Sequence, residues 1–231
     1  MRLWNYVVTR QAHFALAASR GLGLSVEVSK PGYYSLKESR GTFGYAVGTN
    51  TDRPVPTKEN PALFLLRRAG PPQSLVQFRR YLTPSKDGHV TTINVTTGDI
   101  VNSADSVSTL EIQTWVDDEN KDPKRRFSWR LKLIVPHGGF RERTDEFKFV
   151  APDDNYQSSV NIEMVPSRDG NWSRQIKKEY FAKFSNRYGR IVIEYVAGGH
   201  NRLSLTAWYN PSGSRNLESG PEDKINVLNE P

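Results

Sequence analysis

The 231 residues contain no cysteine. That excludes disulfides, a cysteine nucleophile, and zinc or iron–sulfur sites held by thiolates. Histidine is scarce as well. The four residues, His13, His89, His137 and His200, stand in unrelated contexts, and no Gly-x-Ser-x-Gly elbow accompanies them. A serine-type triad therefore has no support in the sequence. Long apolar runs are missing too: none approaches the ~20 residues that a membrane-spanning helix needs, so no span is expected. At the start of the chain, Asn5, Thr9, Arg10, Gln11 and His13 break up the apolar stretch of a signal peptide, and residues 1–23 read as a short lead-in. Gly21-Leu22-Gly23 does not continue into a dinucleotide fingerprint, so no cofactor is expected.

Thirty-two basic residues stand against 25 acidic ones, a net charge of +7. Such a balance suits polyanions. Here the bases are scattered and not massed, so solvated charge is the plainer reading, and nucleic acid is not an expected partner. A scaffold whose basic faces touch an acidic polymer stays open as an alternative.

What the chain has in quantity is alternation. In 202–209, Leu203, Leu205, Ala207 and Tyr209 share one face while Arg202, Ser204, Thr206 and Trp208 share the other. A period of two marks a half-buried strand. Residues 188–196, YGRIVIEYV, are β-branched and aromatic, types that fit a pleated surface. Ser185-Asn186-Arg187 and the Gly198-Gly199 region supply turns on either side. Residues 177–184 then complete a three-stranded meander, in preference to a helical stripe through Ile176, Tyr180, Phe181 and Phe184. In 107–117, Leu110, Ile112, Thr114 and Val116 oppose Glu111, Gln113, Trp115 and Asp117. In 127–135, Phe127, Trp129, Leu131, Leu133 and Val135 form one apolar face. Further strands are expected at 24–30, 62–68, 75–82, 89–96, 144–150 and 158–165. The Gly- and Pro-rich stretch 41–61 reads as a long ordered loop whose Phe43 and Tyr45 dock on the core.

About ten short strands with little helix predict an all-β protein, an antiparallel β-sandwich of jelly-roll or immunoglobulin-like type. It should span 24–210, with a division near 97–106 left open and 211–231 as an extended tail.

Several stretches together, GTFGYAVGTNTDRPVPTKENPALFLLRR, FSWRLKLIVPHGGF, EFKFVAPDDNYQSSVNIEM, YFAKFSNRYGRIVIEYVAGG and NPSGSRNLE, resemble an uncharacterised family of bacterial β-rich regions. Members lie at the C-terminus of exported or lipoprotein-like chains, sometimes beside carboxypeptidase-regulatory-like β-domains. The likeness runs from about Gly41 to Glu218 and implies an exported, cell-envelope β-module. It brings no catalytic residue with it.

Two tryptophans on polar faces are the main candidates for function. Trp115 alternates with Glu111 and Gln113; Trp208 alternates with Arg202, Ser204 and Thr206. A bare indole on the solvated side of a strand is a flat apolar surface on which sugar rings stack. Gln113, Glu111, Arg130 and Arg202 are placed to bond hydroxyl groups. The expectation is a non-catalytic carbohydrate-binding or adhesion module whose partner is a polysaccharide or another cell-surface polymer. The plainer alternative is that both indoles are second-layer core under another piece of chain. A glycan-acting hydrolase or lyase would need two carboxyls ~5–10 Å apart, and Glu111 with Glu163 is one pair among many. Calcium could be held by the oxygen-rich loop at Asp117, Asp118 and Asp122, although it lacks an EF-hand's spacing and is followed by Lys124, Arg125 and Arg126.

Overall fold

The computed structural model describes residues 23–34, 40–44, 57, 59–64, 66–102, 107–122, 124–145, 148–166, 171–219 and 226–228. Among these residues every regular element is a strand, so none forms a helix long and apolar enough to cross a membrane. The chain divides into two compact units, Met1–Gly70 and Pro71–Pro231. The break falls at the Gly70-Pro71-Pro72 punctuation, and residues 97–102 lie inside the second unit.

The first unit holds two small pairings. β1 (Gly23–Glu27) runs antiparallel to β3 (Arg40–Gly44), and β2 (Tyr33–Tyr34) to β4 (Arg67–Arg68). Part of the expected loop at 41–61 is therefore strand. Phe43 is buried, with its ring edge-on to Phe64 at 6.3 Å. Tyr45 falls outside the described residues, as do residues 1–22. The strand expected at 62–68 shrinks to Arg67–Arg68, with Leu63 turned out to solvent.

The second unit is an antiparallel β-sandwich. One sheet contains, in order, β10 (Gly138–Glu142), β12 (Gln175–Phe184), β13 (Arg187–Val196), β14 (Arg202–Asn210), β5 (Val76–Leu82) and β15 (Asn226–Leu228). The other contains β11 (Ser159–Met164), β9 (Ser128–Ile134), β8 (Thr109–Asp117), β6 (Thr91–Asn94) and β7 (Ile100–Val101). Every pairing is antiparallel except β15 on β5. The meander β12–β13–β14 runs in register over ten and then nine residue pairs, as its turn chemistry and β-branched content predict.

Alternation decides what is sealed inside. Leu110, Ile112, Trp129, Leu131, Leu133, Ile191, Ile193, Tyr195, Leu203 and Leu205 all belong to one buried cluster. Between the sheets Trp129 meets Tyr195 edge-on at 5.3 Å. Arg80 and Asn201 are among the polar groups that share this interior. Arg80, on the inward side of β5, donates through Nε to the Gly98 carbonyl with Asp99 3.6 Å away. Asn201 donates to the Pro84 carbonyl (2.7 Å) and to Thr114 Oγ1 (2.9 Å), and accepts from the Tyr195 hydroxyl (2.6 Å). Burial pushes the Tyr195 phenol well above its ordinary range, so that proton stays in place to be donated.

Two segments depart from the sequence reading. Of the strand expected at 144–150, no part forms among the described residues. Its end instead makes a single bridge, Val150 with Asn216, and strand β10 forms earlier, at 138–142. Residues 211–219 are also no frayed tail. Leu217 is fully buried and bonds to the Phe149 carbonyl at 2.8 Å, and the Gln73 N–H bonds to the Glu218 carbonyl at 2.8 Å. Residues 148–157 and 211–219 thereby form a second small core with Phe181, built on Ala151 and Leu217 with Tyr156 and Tyr188 at its margin.

Candidate functional site

Cross-strand register assembles four of the six predicted contact residues on one surface. On β8, Glu111, Gln113 and Trp115 point away from the core; opposite them on β9 stand Ile134, Lys132 and Arg130, and on β11 Ser159, Asn161 and Glu163. Read across the strands, the rows are Trp115–Arg130–Glu163, Gln113–Lys132–Asn161 and Glu111–Ile134–Ser159. All nine side chains on this outer face keep some contact with solvent.

The centre of the face is a stack. The Arg130 guanidinium carbon lies 3.8 Å from the centroid of the Trp115 ring, close enough for a cation–π contact. The loop after β5 supports the indole. Asp87 bridges to Trp115, the Gly88 N–H bonds to the Thr114 carbonyl (2.9 Å), and the Val116 N–H bonds to the Lys86 carbonyl (3.0 Å). Gly88 has φ +91°, and a Cβ there would come within 2.3 Å of the indole. Trp115 is therefore one half of an Arg–Trp unit and not a bare platform. Arg130 Nε is shielded from water and has no hydrogen-bond partner.

Trp208 and Arg202 are elsewhere. Both lie on β14 in the six-stranded sheet, on the outer face of the opposite layer. Two packed sheets turn their outer faces in opposite directions, so no surface contains both tryptophans. Trp208 is moreover only 5% exposed, with the Arg190 guanidinium carbon 3.7 Å from its ring centroid. Arg190 in turn bonds to Ser219 Oγ at 2.9 Å. The open indole expected at 208 is corrected to a buried one. The physical reason is the cover that the chain beyond β14 supplies. Arg202 is exposed at the far end of the strand.

The candidate calcium ligands do not converge. Asp118 accepts two bonds from Lys86 Nζ (2.8 and 3.1 Å) and one from the Gly199 N–H (3.0 Å). The Lys86 ammonium holds its carboxyl below the usual range. At Asp122, loss of water works upward, but the Arg126 N–H and guanidinium outweigh it and the net shift is downward. Asp117 accepts from the Asn120 amide. Among the described residues no three His, Cys, Asp or Glu side chains form a group suited to a metal ion.

Glu111 and Glu163 share the outer face but sit two strands and two rows apart. At ~4.8 Å between strands and ~3.4 Å per residue, their Cα atoms are separated by about 16 Å. Their side chains rise side by side from a flat sheet, which is not the facing pair of a glycosidase cleft. A concavity of about 500 Å³ opens near the end of β5 and the β6–β7 edge, lined by Leu82, Pro84, His89, Val90, Thr91 and Ile100 among others. Sequence reasoning did not find it, because its residues come from three separate segments that share no pattern.

Comparison with known proteins yields no match: no family model fits the chain, and no curated protein or solved structure is similar to it.

Proposed function

We propose that the sandwich is a non-catalytic binding module and that the outer face of the five-stranded sheet is its contact surface. The observation that carries this reading is the Arg130–Trp115 stack, flanked on a level sheet by Gln113, Lys132 and Asn161. A flat face suits an extended polymer lying across the strands and gives no enclosure for a small substrate. Amide, guanidinium and ammonium donors match hydroxyl and carboxylate oxygens, and the indole edge adds apolar contact for a sugar ring. A cell-surface polysaccharide, including one with acidic sugars, is the partner class that this chemistry fits. The envelope setting rests on the sequence resemblance alone and belongs to the same proposal.

The test is a glycan array followed by titration calorimetry. Saturable binding without turnover is expected. Trp115→Ala and Arg130→Ala should each weaken it about tenfold or more, the worth of one good stacked contact, while Arg202→Ala leaves it unchanged. Release of any product from a bound glycan sinks the reading. Binding that collapses between low and physiological salt, whatever the sugar, would instead mark a charge-driven contact with an acidic polymer.

A further inference from the structure

We propose that β11 is a self-association edge, at which a second copy of this chain pairs antiparallel about a two-fold axis at Asn161 and joins two five-stranded sheets into one. The proposal goes beyond the ligand reading and does not depend on it.

Backbone direction identifies the free groups. The Val135 N–H bonds to the Ser158 carbonyl at 3.0 Å, so residue 158 faces β9. Gln157 faces the other way, exchanging bonds of 2.7 and 2.9 Å with Phe140. Continuing that alternation along an antiparallel strand turns the N–H and C=O of Ser159, Asn161 and Glu163 away from β9. Among the described residues the strand contact on that side is β10 at Gln157, just before β11 begins; beyond it no strand pairs there, and Asn161 and Glu163 are exposed.

The other described edges of the two large sheets are short or bridged: β15 is three residues long and β7 two, and Gln157 bridges β10 at its midpoint. β11 has six residues in unbroken register, SVNIEM, with no lysine, arginine or proline among them. Charge, proline and bulges are the devices by which proteins keep edges apart, and this edge lacks all but a single glutamate.

Self-complementarity selects the second copy as occupant. A two-fold at Asn161 sets Asn161 opposite Asn161 and Ser159 opposite Glu163, so no like charges meet and about six ladder bonds can close. On the inner side Val160 comes opposite Ile162 of the second copy. Val160, Ile162 and Met164 are packed against the core but only partly buried, so pairing gives this apolar row the cover it lacks. Contacts of this extent usually associate in about the micromolar range.

Sedimentation velocity on the full chain, from about 1 to 200 µM to bracket that range, should show a concentration-dependent dimer. Asn161→Pro should be monomeric yet folded, since the lost N–H points to solvent and proline is tolerated there. Asn161→Lys sets two ammonium groups face to face and should also be monomeric; circular dichroism and Tm check that both variants fold. Because the chain has no cysteine, Asn161→Cys gives a clean cross-linking probe. Facing Cα atoms ~5.5 Å apart lie within disulfide reach, so it should oxidise to a covalent dimer. Lys132→Cys, about 14 Å from its counterpart across three strand spacings, should not. A wild type that stays monomeric throughout, as it would if the edge instead accepts an extended peptide from another protein, overturns the proposal. So do variants at Asn161 that dimerise like wild type, or cross-linking at 132 in place of 161.

Discussion

Trp115 and Trp208 sit at equivalent polar-face positions of two strands, and the difference between them is what lies above. Trp208 is buried beneath Arg190, which Ser219 holds. Its indole Nε1 has no partner, and neither has Oε1 of Gln77, its cross-strand neighbour. Trp208→Ala should therefore cost stability, about 3–5 kcal/mol by urea denaturation, as for other buried large-to-small changes. Trp115→Ala should cost far less while removing ligand binding, and equal losses of stability in the two variants would contradict the assignment. Gly88→Ala tests the support of the stack. Its φ of +91° strains any L side chain and the new methyl meets the indole, so a loss of about 1–3 kcal/mol is expected. Asp118 gives a pH signature. Folding lowers its pKa through Lys86, so its contribution is present above the ordinary carboxylate range and disappears as pH falls through the lowered value. Asp118→Asn should flatten the acid limb of a Tm-versus-pH curve below about pH 4 and leave the curve near neutrality displaced by a constant amount. Alternation told which face each indole occupies. It could not tell that Trp208 is covered, because the covering chain, 148–157 and 211–219, has no period of its own and comes from two distant parts of the sequence.

At the scale of the element, the strands legible in advance are those with one unbroken apolar face. β9 buries Trp129, Leu131 and Leu133, and β8 buries Leu110, Ile112 and Thr114, on the sides their spacing indicates. β10 was not legible. A pair of glycines commonly marks a turn, yet Gly138 and Gly139 are there because strands crowd together. A Cβ on Gly138 would fall on the Lys183 carbonyl, and one on Gly139 would come within 2.5 Å of the Gln157 carbonyl. The run at 144–150 misled in the opposite sense. Its alternation is genuine, but the Phe149 ring lies 5.4 Å from the Arg143 and 5.2 Å from the Arg190 guanidinium carbon, on the outside of the sheet, and its described residues form a bridge at Val150 and no ladder. Turns also do more than reverse the chain. Asn201, at φ +48° between β13 and β14, ties the Tyr195 hydroxyl to Thr114 on the facing sheet and to the Pro84 carbonyl. Asn201→Ala removes those bonds, strands buried partners and puts a side chain without local hydrogen bonds into the left-handed region. A loss of about 2–4 kcal/mol at unchanged strand content follows, measurable by urea denaturation; a loss below about 0.5 kcal/mol, the level of ordinary surface changes, would show that the network is incidental.

For the whole molecule, the question is which part of the chain carries the fold. Both large sheets and the apolar cluster between them belong to the unit beginning at Pro71, and every residue of that cluster comes from beyond position 75. The described pairings of the first unit are the short ladders β1–β3 and β2–β4, with Phe43 against Phe64 as their ring contact. An isolated two-stranded ladder is marginal in water, whereas two sheets sealed face to face are not. A chain cut to residues 71–231 should thus fold cooperatively, with the full-length protein's near-ultraviolet circular dichroism from Trp129, Trp172 and Trp208 and a Tm within a few degrees of it. Strand β5, the first of this fragment, keeps both its partners within it, β14 on one side and β15 on the other. Shortening from the other end should behave differently. Ending the chain at Asn210 removes Leu217 from the second small core and Ser219 from Arg190. That uncovers Trp208 and Phe181 on the outer face of the six-stranded sheet, and the protein should lose several degrees of Tm and bind a hydrophobic dye. If the 1–210 chain melts like wild type while 71–231 is unfolded, the division of labour between the two units is reversed.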